Sequence, residues 1–318
     1  MRRLALFLLP LCLACLTLTS CPADSGGGDK VIGMTVQTLT NPFFTVIANN
    51  LESAVKDKGF TLNLQGAGQD PVKQRQQVQD FIQKKVVAIV INPADSKGIG
   101  PAIQEANKAG IPVFTVDLRC SDPAAKVVSQ LGTDNYGGGR LAADAMIEAL
   151  GTAGGKIALL DFEKVESCIE RERGFKDVLK EHNAKTKDGK VEIVIELGCE
   201  GDRDKGYKNA QDAISTHKDL RGLFAINDPA ALGARAALEK GGKADQVVIV
   251  GFDGQPEGKK AIRDGKIYAD PIQFPDRMGR ETGLAIMDHL NGKTVKPSVD
   301  IPTSLYRKAD GLKDESLK

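Results

Sequence analysis

The chain has 318 residues, with 43 Lys plus Arg against 42 Asp plus Glu and a formal charge of +1. This balance argues against a nucleic-acid-binding protein, because affinity for phosphates depends on a strongly basic surface. The hydrophobic content of 41% is ordinary for a globular protein, and 318 residues exceed what one core usually serves, so we expect two domains.

The first twenty residues have the pattern of a secretory signal. Two arginines precede an apolar run over residues 4–18, which is too short to span a bilayer. The string LTSC that ends at Cys21 resembles a bacterial lipobox, in which the cysteine is lipidated; the alternative is an ordinary signal peptide with a chance cysteine. We therefore predict a signal peptide at 1–20 and a lipidated Cys21 with a flexible tether over 21–29. This places the protein in the periplasm or on the outer face of the cell membrane.

Cysteine usage fits such an oxidising compartment. Cys120, Cys168 and Cys199 remain once the signal is removed and Cys21 carries lipid. Cys168 and Cys199 follow successive predicted strands, so we expect their loops at one sheet edge and favour a disulfide between them. The three histidines lie on predicted helices, which favours surface positions over a metal site. We expect neither a metal nor a cofactor.

From residue 30 the sequence alternates short β-branched runs with longer helical patterns. The first five predicted strands cover 31–36, 61–65, 86–91, 112–117 and 127–132. The first helix begins with Asn41-Pro42, an N-cap followed by a first-turn proline. Near Gly137 the alternation starts again, and four further predicted strands cover 156–162, 191–197, 222–226 and 247–252. Continuous apolar strands between helices predict an α/β protein with two doubly wound parallel-sheet domains.

In such sheets ligands bind beyond the carboxyl ends of the strands. The loops at these ends carry planar hydrogen-bonding groups and one aromatic pair: Asn41, Phe43, Phe44, Asp117, Arg119, Arg171, Arg173, Asp202, Arg203, Asn227, Asp253 and Gln273. This set suits a neutral polyol, because sugar hydroxyls both donate and accept and the apolar face of a sugar ring packs on an aromatic ring. Each residue alone also fits a helix start, an N-cap or a solvated charge; recurrence in both halves favours a binding site.

The sequence patterns of common enzymes are missing. The first strand is not followed by G-x-G-x-x-G, and the sequence contains no G-x-x-x-x-G-K-[ST] string, no G-x-S-x-G turn and no zinc-spaced histidines. We therefore expect a binding protein and not an enzyme.

Seven strings occur in a recognisable order: TNPFF (40–44), INPADS (91–96), IPVFTVD (111–117), TDN (133–135), RERGF (171–175), FAINDPAALGA (224–234) and VGFDG (250–254). Together they resemble the bacterial periplasmic sugar-binding proteins of the ribose-binding type, the substrate receptors of ABC importers. The resemblance runs from about residue 30 to about residue 300, nearly the whole mature chain.

The resemblance implies the type I periplasmic binding fold, with two doubly wound domains joined by a three-segment hinge. It places an N-terminal lobe at 30–133 plus 274–300 and a C-terminal lobe at 134–273 plus 301–318. The ligand contacts that it implies are Asn41, Phe43, Phe44, Asp117, Arg173, Asn227, Asp253 and Gln273. Two positions depart from the family pattern. Leu118 stands where ribose receptors have an arginine, with Arg119 one place later, and Gly201 stands where they have an aromatic wall.

The implied function is capture of a monosaccharide, a fructose-like ketohexose or a ribose-like pentose, by lobe closure and its delivery to an ABC transporter permease. The chain would act as a monomer without nucleic acid and would touch the membrane through its lipid alone. An alternative is a sensor that presents a sugar or signalling furanose to a chemoreceptor or kinase; a third is an α/β enzyme. The signal peptide and the absence of a helix-turn-helix start exclude a lactose-repressor-like regulator.

Overall fold

The computed structural model describes residues 30–317. The predicted signal peptide, Cys21 and the tether over 21–29 lie outside the described residues. The described residues form two α/β lobes, each built on a six-stranded sheet. Within 30–317 no helix combines the length and the apolar character that crossing a membrane requires.

The structure alternates strands and helices along nearly the whole described chain. The strands are β1 (Lys30–Val36), β2 (Phe60–Gly66), β3 (Ala88–Ile91), β4 (Val113–Val116), β5 (Ser129–Thr133), β6 (Gly155–Asp161), β7 (Val191–Gly198), β8 (Leu220–Ala225), β9 (Val248–Val250), β10 (Ala269–Ile272), β11 (Ser298–Ile301) and β12 (Ser304–Arg307). The helices are α1 (Pro42–Lys56), α2 (Pro71–Gln83), α3 (Gly100–Lys108), α4 (Asn135–Leu150), α5 (Glu166–Lys185), α6 (Arg203–Thr216), α7 (Asp228–Lys240), α8 (Pro256–Arg263), α9 (Pro275–Leu290) and α10 (Lys308–Gly311).

The first lobe has a parallel sheet in the order β11-β5-β4-β3-β1-β2. Successive strand residues point to opposite faces, so Ala88 and Val90 join an apolar core with α1 and α9, whereas Ile89 and Ile91 join a second core with α2 and α3. The sheet is therefore covered on both faces, as its near-continuous apolar strands predict.

The second lobe has a sheet in the order β12-β10-β9-β8-β6-β7 around one apolar core. Five strands run parallel, and the edge strand β12 pairs antiparallel with β10. Its helices pack as the pairs α4 with α5, α6 with α7, and α8 with α10. Two parallel-sheet domains confirm the predicted fold class.

The chain passes between the sheets at three places: between β5 and α4, between β10 and α9, and between β11 and β12. Strands β5, β10 and β11 all end at a passage. Because the neighbouring strands of each sheet run parallel to them, the carboxyl ends of both sheets face the boundary between the lobes. Any site built from strand-end loops is thereby placed at that boundary.

Candidate ligand-binding cleft

A cleft of about 450 Å³ lies between the lobes, within the range of small-molecule sites. Both lobes contribute predicted residues to its lining: Asn41, Phe43, Phe44, Asp117, Asn227, Asp253 and Gln273. The fold therefore brings seven of the nine predicted ligand residues together.

The start of α1 forms one wall of the cleft. Asn41 is the N-cap of this helix, and its Oδ1 accepts a hydrogen bond of 3.0 Å from the backbone N–H of Phe43. The rings of Phe43 and Phe44 meet edge to face, with centroids 5.5 Å apart. Both rings belong to the apolar core of the first lobe and also line the cleft, so their position is compatible with both the core and the ring-wall predictions.

Asp117 follows β4 with a left-handed backbone, φ 64°. Its N–H donates to the carbonyl of Leu131 at 2.8 Å, and its Oδ2 accepts from Nδ2 of Asn92 at 3.0 Å. Burial raises the pKa of Asp117 to about 7, against the opposing effect of Arg171. This carboxyl therefore changes charge near neutral pH.

Arg171 dominates the opposite wall, where 4% of its surface is exposed. Its Nη1 donates to Oδ1 of Asp253 at 3.0 Å and to the carbonyl of Ile226 at 2.9 Å, and its Nε donates to Oδ1 of Asn135 at 2.9 Å. The guanidinium lies 3.8 Å from the centroid of the Phe252 ring. These contacts fix the guanidinium in place before any ligand arrives.

Asp253 links Arg171 to the hinge. Its Oδ1 also accepts from Nε2 of Gln273 at 2.6 Å, and Oε1 of Gln273 accepts from Oγ1 of Thr133, the last residue of β5, at 2.6 Å. Asp253 has φ 102°, a backbone conformation that costs about 1–3 kcal/mol and that clusters at functional sites. Burial raises its pKa, while Arg171 and Gln273 oppose the shift.

Asn227 and Gly201 close the far side of this wall. Asn227 is the N-cap of α7; its Oδ1 accepts from the N–H of Ala230 at 3.1 Å, and its Nδ2 donates to the carbonyl of Gly201 at 3.0 Å. Gly201 has φ 65°, and a Cβ there would lie 2.6 Å from Nδ2 of Asn227. A side chain at position 201 would therefore be both strained and crowded.

Two predicted ligand residues lie elsewhere. The side chain of Arg173 is 58% exposed, pairs with Glu170 and lies over the ring of Tyr136. Arg119 pairs with Asp300 and lines a recess of about 250 Å³ beside the hinge. This recess adjoins the cleft and shares Asp117 and Leu118 with its lining, which does not include Arg119. The guanidinium expected from Arg173 is supplied to the cleft by Arg171.

The helical period explains this difference. Residues two apart on a helix point in nearly opposite directions, so α5 can direct one arginine of RERGF inward and must direct the other outward. The buried face of α5 contains Cys168, Arg171, Gly174, Phe175 and Val178, at spacings of three and four. Gly174 packs against α4, where a Cβ would lie 2.1 Å from the carbonyl of Tyr136. That spacing was readable in the sequence and selects Arg171; Phe252, Asn92 and Asn135 carried no comparable signal.

The cysteines differ from the predicted pairing. All three cysteines of residues 30–317 are free thiols, including Cys168 and Cys199. The thiol of Cys199 lies 3.2 Å from the carbonyl oxygen of Asp161, to which it donates, and Cys168 lies within α5 and not in a strand-end loop. Burial raises the pKa of both thiols to about 11, which keeps them protonated and unreactive.

Within the described part of the chain, Asp161, Glu172 and Glu196 lie close enough to share a cation. Nζ of Lys176 already lies 2.6 Å from Glu172 and 2.8 Å from Glu196. The lysine ammonium therefore offsets part of the negative charge of this group, which lies outside the cleft lining.

Residues 32–294 match the family described as periplasmic binding protein domain. The chain belongs to this family. It is 34% identical over 304 residues to the ribose import binding protein of Bacillus subtilis (strain 168), with 95% of both chains covered.

Two solved structures are also similar. One is an ABC transporter periplasmic solute binding protein from Actinobacillus succinogenes 130z with bound D-allose, at TM-score 0.82 and 26% identity, covering 89% of this chain and 99% of that one. The other is an ABC transporter solute binding protein from Bacillus halodurans C-125 with bound myo-inositol, at TM-score 0.82 and 26% identity, covering 92% and 100%. The predicted resemblance is confirmed, and with it a periplasmic binding protein that is not an enzyme.

Proposed function

We propose that this protein captures a neutral monosaccharide between its lobes and delivers it to the permease of an ABC importer. The observation that carries the proposal is the convergence in one cleft of two half-buried carboxyls from opposite lobes, Asp117 and Asp253, beside a fixed arginine and two aromatic rings. Sugar hydroxyls need acceptors and donors side by side, which this arrangement supplies.

The donors and acceptors that remain for a ligand can be identified. In Arg171, Nε and Nη1 donate to groups within residues 30–317, so we assign the two N–H groups of Nη2 to the sugar. Asp117 accepts from Asn92 through Oδ2, so we assign its Oδ1 to a hydroxyl. The charge of Arg171 is offset by Asp253, and Asp117 adds a further acid, so an anionic ligand is disfavoured.

The sugar ring would pack on Phe43 and Phe44. The chain contains no Trp, and Gly201 leaves the second-lobe wall without a side chain next to Asn227. A wider cleft at that side favours a hexose, including a fructose-like ketohexose, as well as a ribose-like pentose. The ligands named for the relatives, ribose, D-allose and myo-inositol, are all neutral polyols of this size.

We expect the lobes to close on the sugar because the site is divided between them. A sugar that contacts Asp117 and Phe43 on one lobe and Arg171 and Asp253 on the other has a higher affinity for the closed arrangement. This difference in affinity shifts the population toward closure about the three passages. The closed form is what the permease would recognise. We further propose that the mature chain is monomeric and is held at the membrane by lipid on Cys21.

Thermal unfolding with a sugar panel tests the proposal. We expect D-ribose, D-allose, D-fructose or myo-inositol to raise Tm, since a ligand at 100 times its Kd adds about 2.7 kcal/mol of stability. Ribose 5-phosphate is the matched control, and its charge should prevent binding. No response to any neutral sugar would overturn the proposal. Recovery of the bound sugar unchanged, by mass spectrometry, separates binding from turnover.

A further inference from the structure

Two aspartates are buried behind the cleft wall, one layer away from the proposed sugar contacts. Asp228 is the first residue of α7 and is 1% exposed, and Asp270 lies within β10 and is fully buried. Burying two carboxyls side by side is costly unless the pair is compensated. Their hydrogen bonds show which part of the site they hold.

Each carboxyl holds one end of the segment 251–255, which carries Asp253. Oδ1 of Asp270 accepts from the N–H of Gly251 at 2.9 Å, and Oδ2 of Asp228 accepts from the N–H of Gln255 at 2.6 Å. Asp253, at the middle of the segment, is in its left-handed conformation. The two aspartates therefore fix both ends of the strained segment.

The other two oxygens of the pair are buried. Oδ1 of Asp228 and Oδ2 of Asp270 accept no hydrogen bond from any N–H or O–H donor of the described residues. Burial and the negative charge of Asp270 raise the pKa of Asp228 well above its ordinary range. Two carboxyls in one apolar site cannot both ionise at low cost, and one shared proton removes the conflict.

Two glycines make room for this pair. A Cβ at Gly258, in α8, would lie 1.9 Å from Oδ1 of Asp228, and a Cβ at Gly251 would lie 2.5 Å from Oδ1 of Asp270. The backbone of the loop and of α8 therefore approaches the carboxyls more closely than any other residue type would allow.

We propose that Asp228 and Asp270 share one proton and are positioning residues, which hold the 251–255 segment in the geometry that binds the sugar. This inference rests on the proposed function. Removal of the shared proton places two negative charges beneath the segment. Their repulsion moves the anchors at Gly251 and Gln255 apart and displaces Asp253 from Arg171, so affinity falls as pH rises.

Other charged groups act on the pair or lie on the elements packed around it. Asp253 is the charged group of the cleft whose field acts on both aspartates, and Arg171 offsets it. Asp117, across the cleft, titrates with the opposite effect, because its ionised form accepts sugar hydroxyls. On the helices and strand packed around the pair, charged side chains have partners of their own: Arg203 with Glu257, Lys259 with Asp314, Arg235 with Glu239, Arg140 with Glu181, and Arg307 with Glu148.

The test measures Kd across pH by calorimetry, with whichever of D-ribose, D-allose and myo-inositol raises Tm most. Relative to Asp270→Asn, wild-type affinity should fall at least about tenfold between about pH 6 and about pH 9, because loss of one linked proton weakens binding by up to tenfold per pH unit. The opposing titration of Asp117 is present in both proteins and cancels in this comparison. In Asp270→Asn the amide donates to Asp228 permanently and still accepts from Gly251. This variant should keep the wild-type affinity at the lower pH and lose the fall.

The matched control is Asp161→Asn. Asp161 is also a buried carboxyl of the second sheet, 2% exposed, and burial also raises its pKa. The control should show the same fall in affinity as the wild type. An Asp270→Asn protein with the wild-type fall, or with an affinity reduced equally at every pH, would overturn the inference. Asp228→Asn, which changes the other carboxyl of the pair, should likewise lose the fall in affinity with pH. It replaces Asp270→Asn in the test if that variant does not fold.

A sugar-free measurement separates this inference from the proposed function. Infrared difference spectra of wild type minus Asp270→Asn should show the C=O stretching band of a protonated carboxyl group at neutral pH. If the band is present and no sugar binds the wild type, the proposed function fails and the shared proton stands. If sugar binds and the band is missing, the inference fails alone.

Discussion

The two walls of the cleft are built differently. On the second lobe, Arg171 and Gln273 both donate to Asp253, at 3.0 and 2.6 Å, so these three side chains are held in place without a ligand. On the first lobe, Asp117 has one side-chain partner, Asn92, and keeps an acceptor and a raised pKa. The second-lobe wall is therefore organised in advance, whereas in the proposed complex the first-lobe wall gains more of its hydrogen bonds from the sugar. An organised wall loses less entropy on binding.

The largest effect is expected from a substitution that disrupts the second-lobe wall. Arg171→Ala leaves Asp253 as a buried charge without its partner, which typically costs about 3–5 kcal/mol. We expect sugar binding to be undetectable by calorimetry and Tm to fall. Arg173→Ala, two residues away on the exposed face of the same helix, should retain wild-type affinity. Equal losses in the two variants would contradict the assignment of Arg171.

A second change removes the acceptor at the centre of that wall. Asp253→Ala should abolish the sugar-dependent rise in Tm, because Arg171 and Gln273 lose the carboxylate that aligns them. Circular dichroism should show that the ligand-free protein remains folded. Asp253→Asn keeps one acceptor oxygen and tolerates a left-handed backbone better than Ala, so we expect partial binding. Undiminished binding by Asp253→Ala would remove this residue from the site.

The first-lobe wall predicts a pH effect. Burial raises the pKa of Asp117 to about 7, so the unfolded chain loses this proton at a lower pH than the ligand-free fold does. The stability of the ligand-free protein therefore falls as pH rises from the ordinary aspartate pKa toward 7. Sugar hydroxyls favour the ionised form, so in Asp270→Asn, which lacks the opposing shared proton, affinity should rise with pH through about 7, by up to about tenfold per unit. Adding Asp117→Asn to that variant should remove this rise. A flat Asp270→Asn profile over that range would show that Asp117 does not contact the sugar.

A smaller effect separates ring contact from core packing. Phe43→Leu keeps an apolar side chain in the core, although the smaller side chain should cost about 1–2 kcal/mol of stability through lost burial and a small cavity. Loss of the aromatic face should weaken sugar binding by about tenfold, the equivalent of one aromatic contact. Ile47→Leu, in the same core of α1, is the control. A Phe43→Leu affinity equal to that of the wild type would make this ring a core residue only.

The smallest effect is expected outside the cleft. Arg119→Ala breaks an exposed pair with Asp300, and such pairs are worth about 0–1 kcal/mol. Affinity by calorimetry should not change. A loss of more than about tenfold would mean that the hinge recess takes part in sugar binding.

The sequence predicted most of the fold because apolar runs and helix caps are local signals. It predicted the strands as far as Phe252 but not β10, β11 or β12. In β10, Asp270 and Pro271 interrupt the apolar pattern. The same polar residue that hid the strand is the one we assign to the shared proton. The strand-end loops likewise predicted seven of the cleft residues.

The rest of the site depends on where each side chain points in the folded structure. Arg171 and Arg173 are equivalent as residue types, and they are distinguished only by which of them follows the three- and four-residue spacing of the buried face of α5. The predicted disulfide between Cys168 and Cys199 is wrong because the sequence does not show where each thiol points. In the structure the thiol of Cys199 points to the carbonyl of Asp161. Asn92 and Phe252 act through Asp117 and Arg171, so no ligand-binding pattern marks them in the sequence.

Gly201 restricts how this cleft can change its preference during evolution. An aromatic wall cannot be gained there by one mutation, because any Cβ meets Nδ2 of Asn227 at 2.6 Å on a backbone with φ 65°. Asn227 in turn caps α7 and binds the carbonyl of Gly201. A side chain at position 201 would therefore have to displace Nδ2 of Asn227 and adopt a left-handed backbone, which disfavours residues other than glycine. The absence of a side chain from this wall is for that reason easier to keep than to lose.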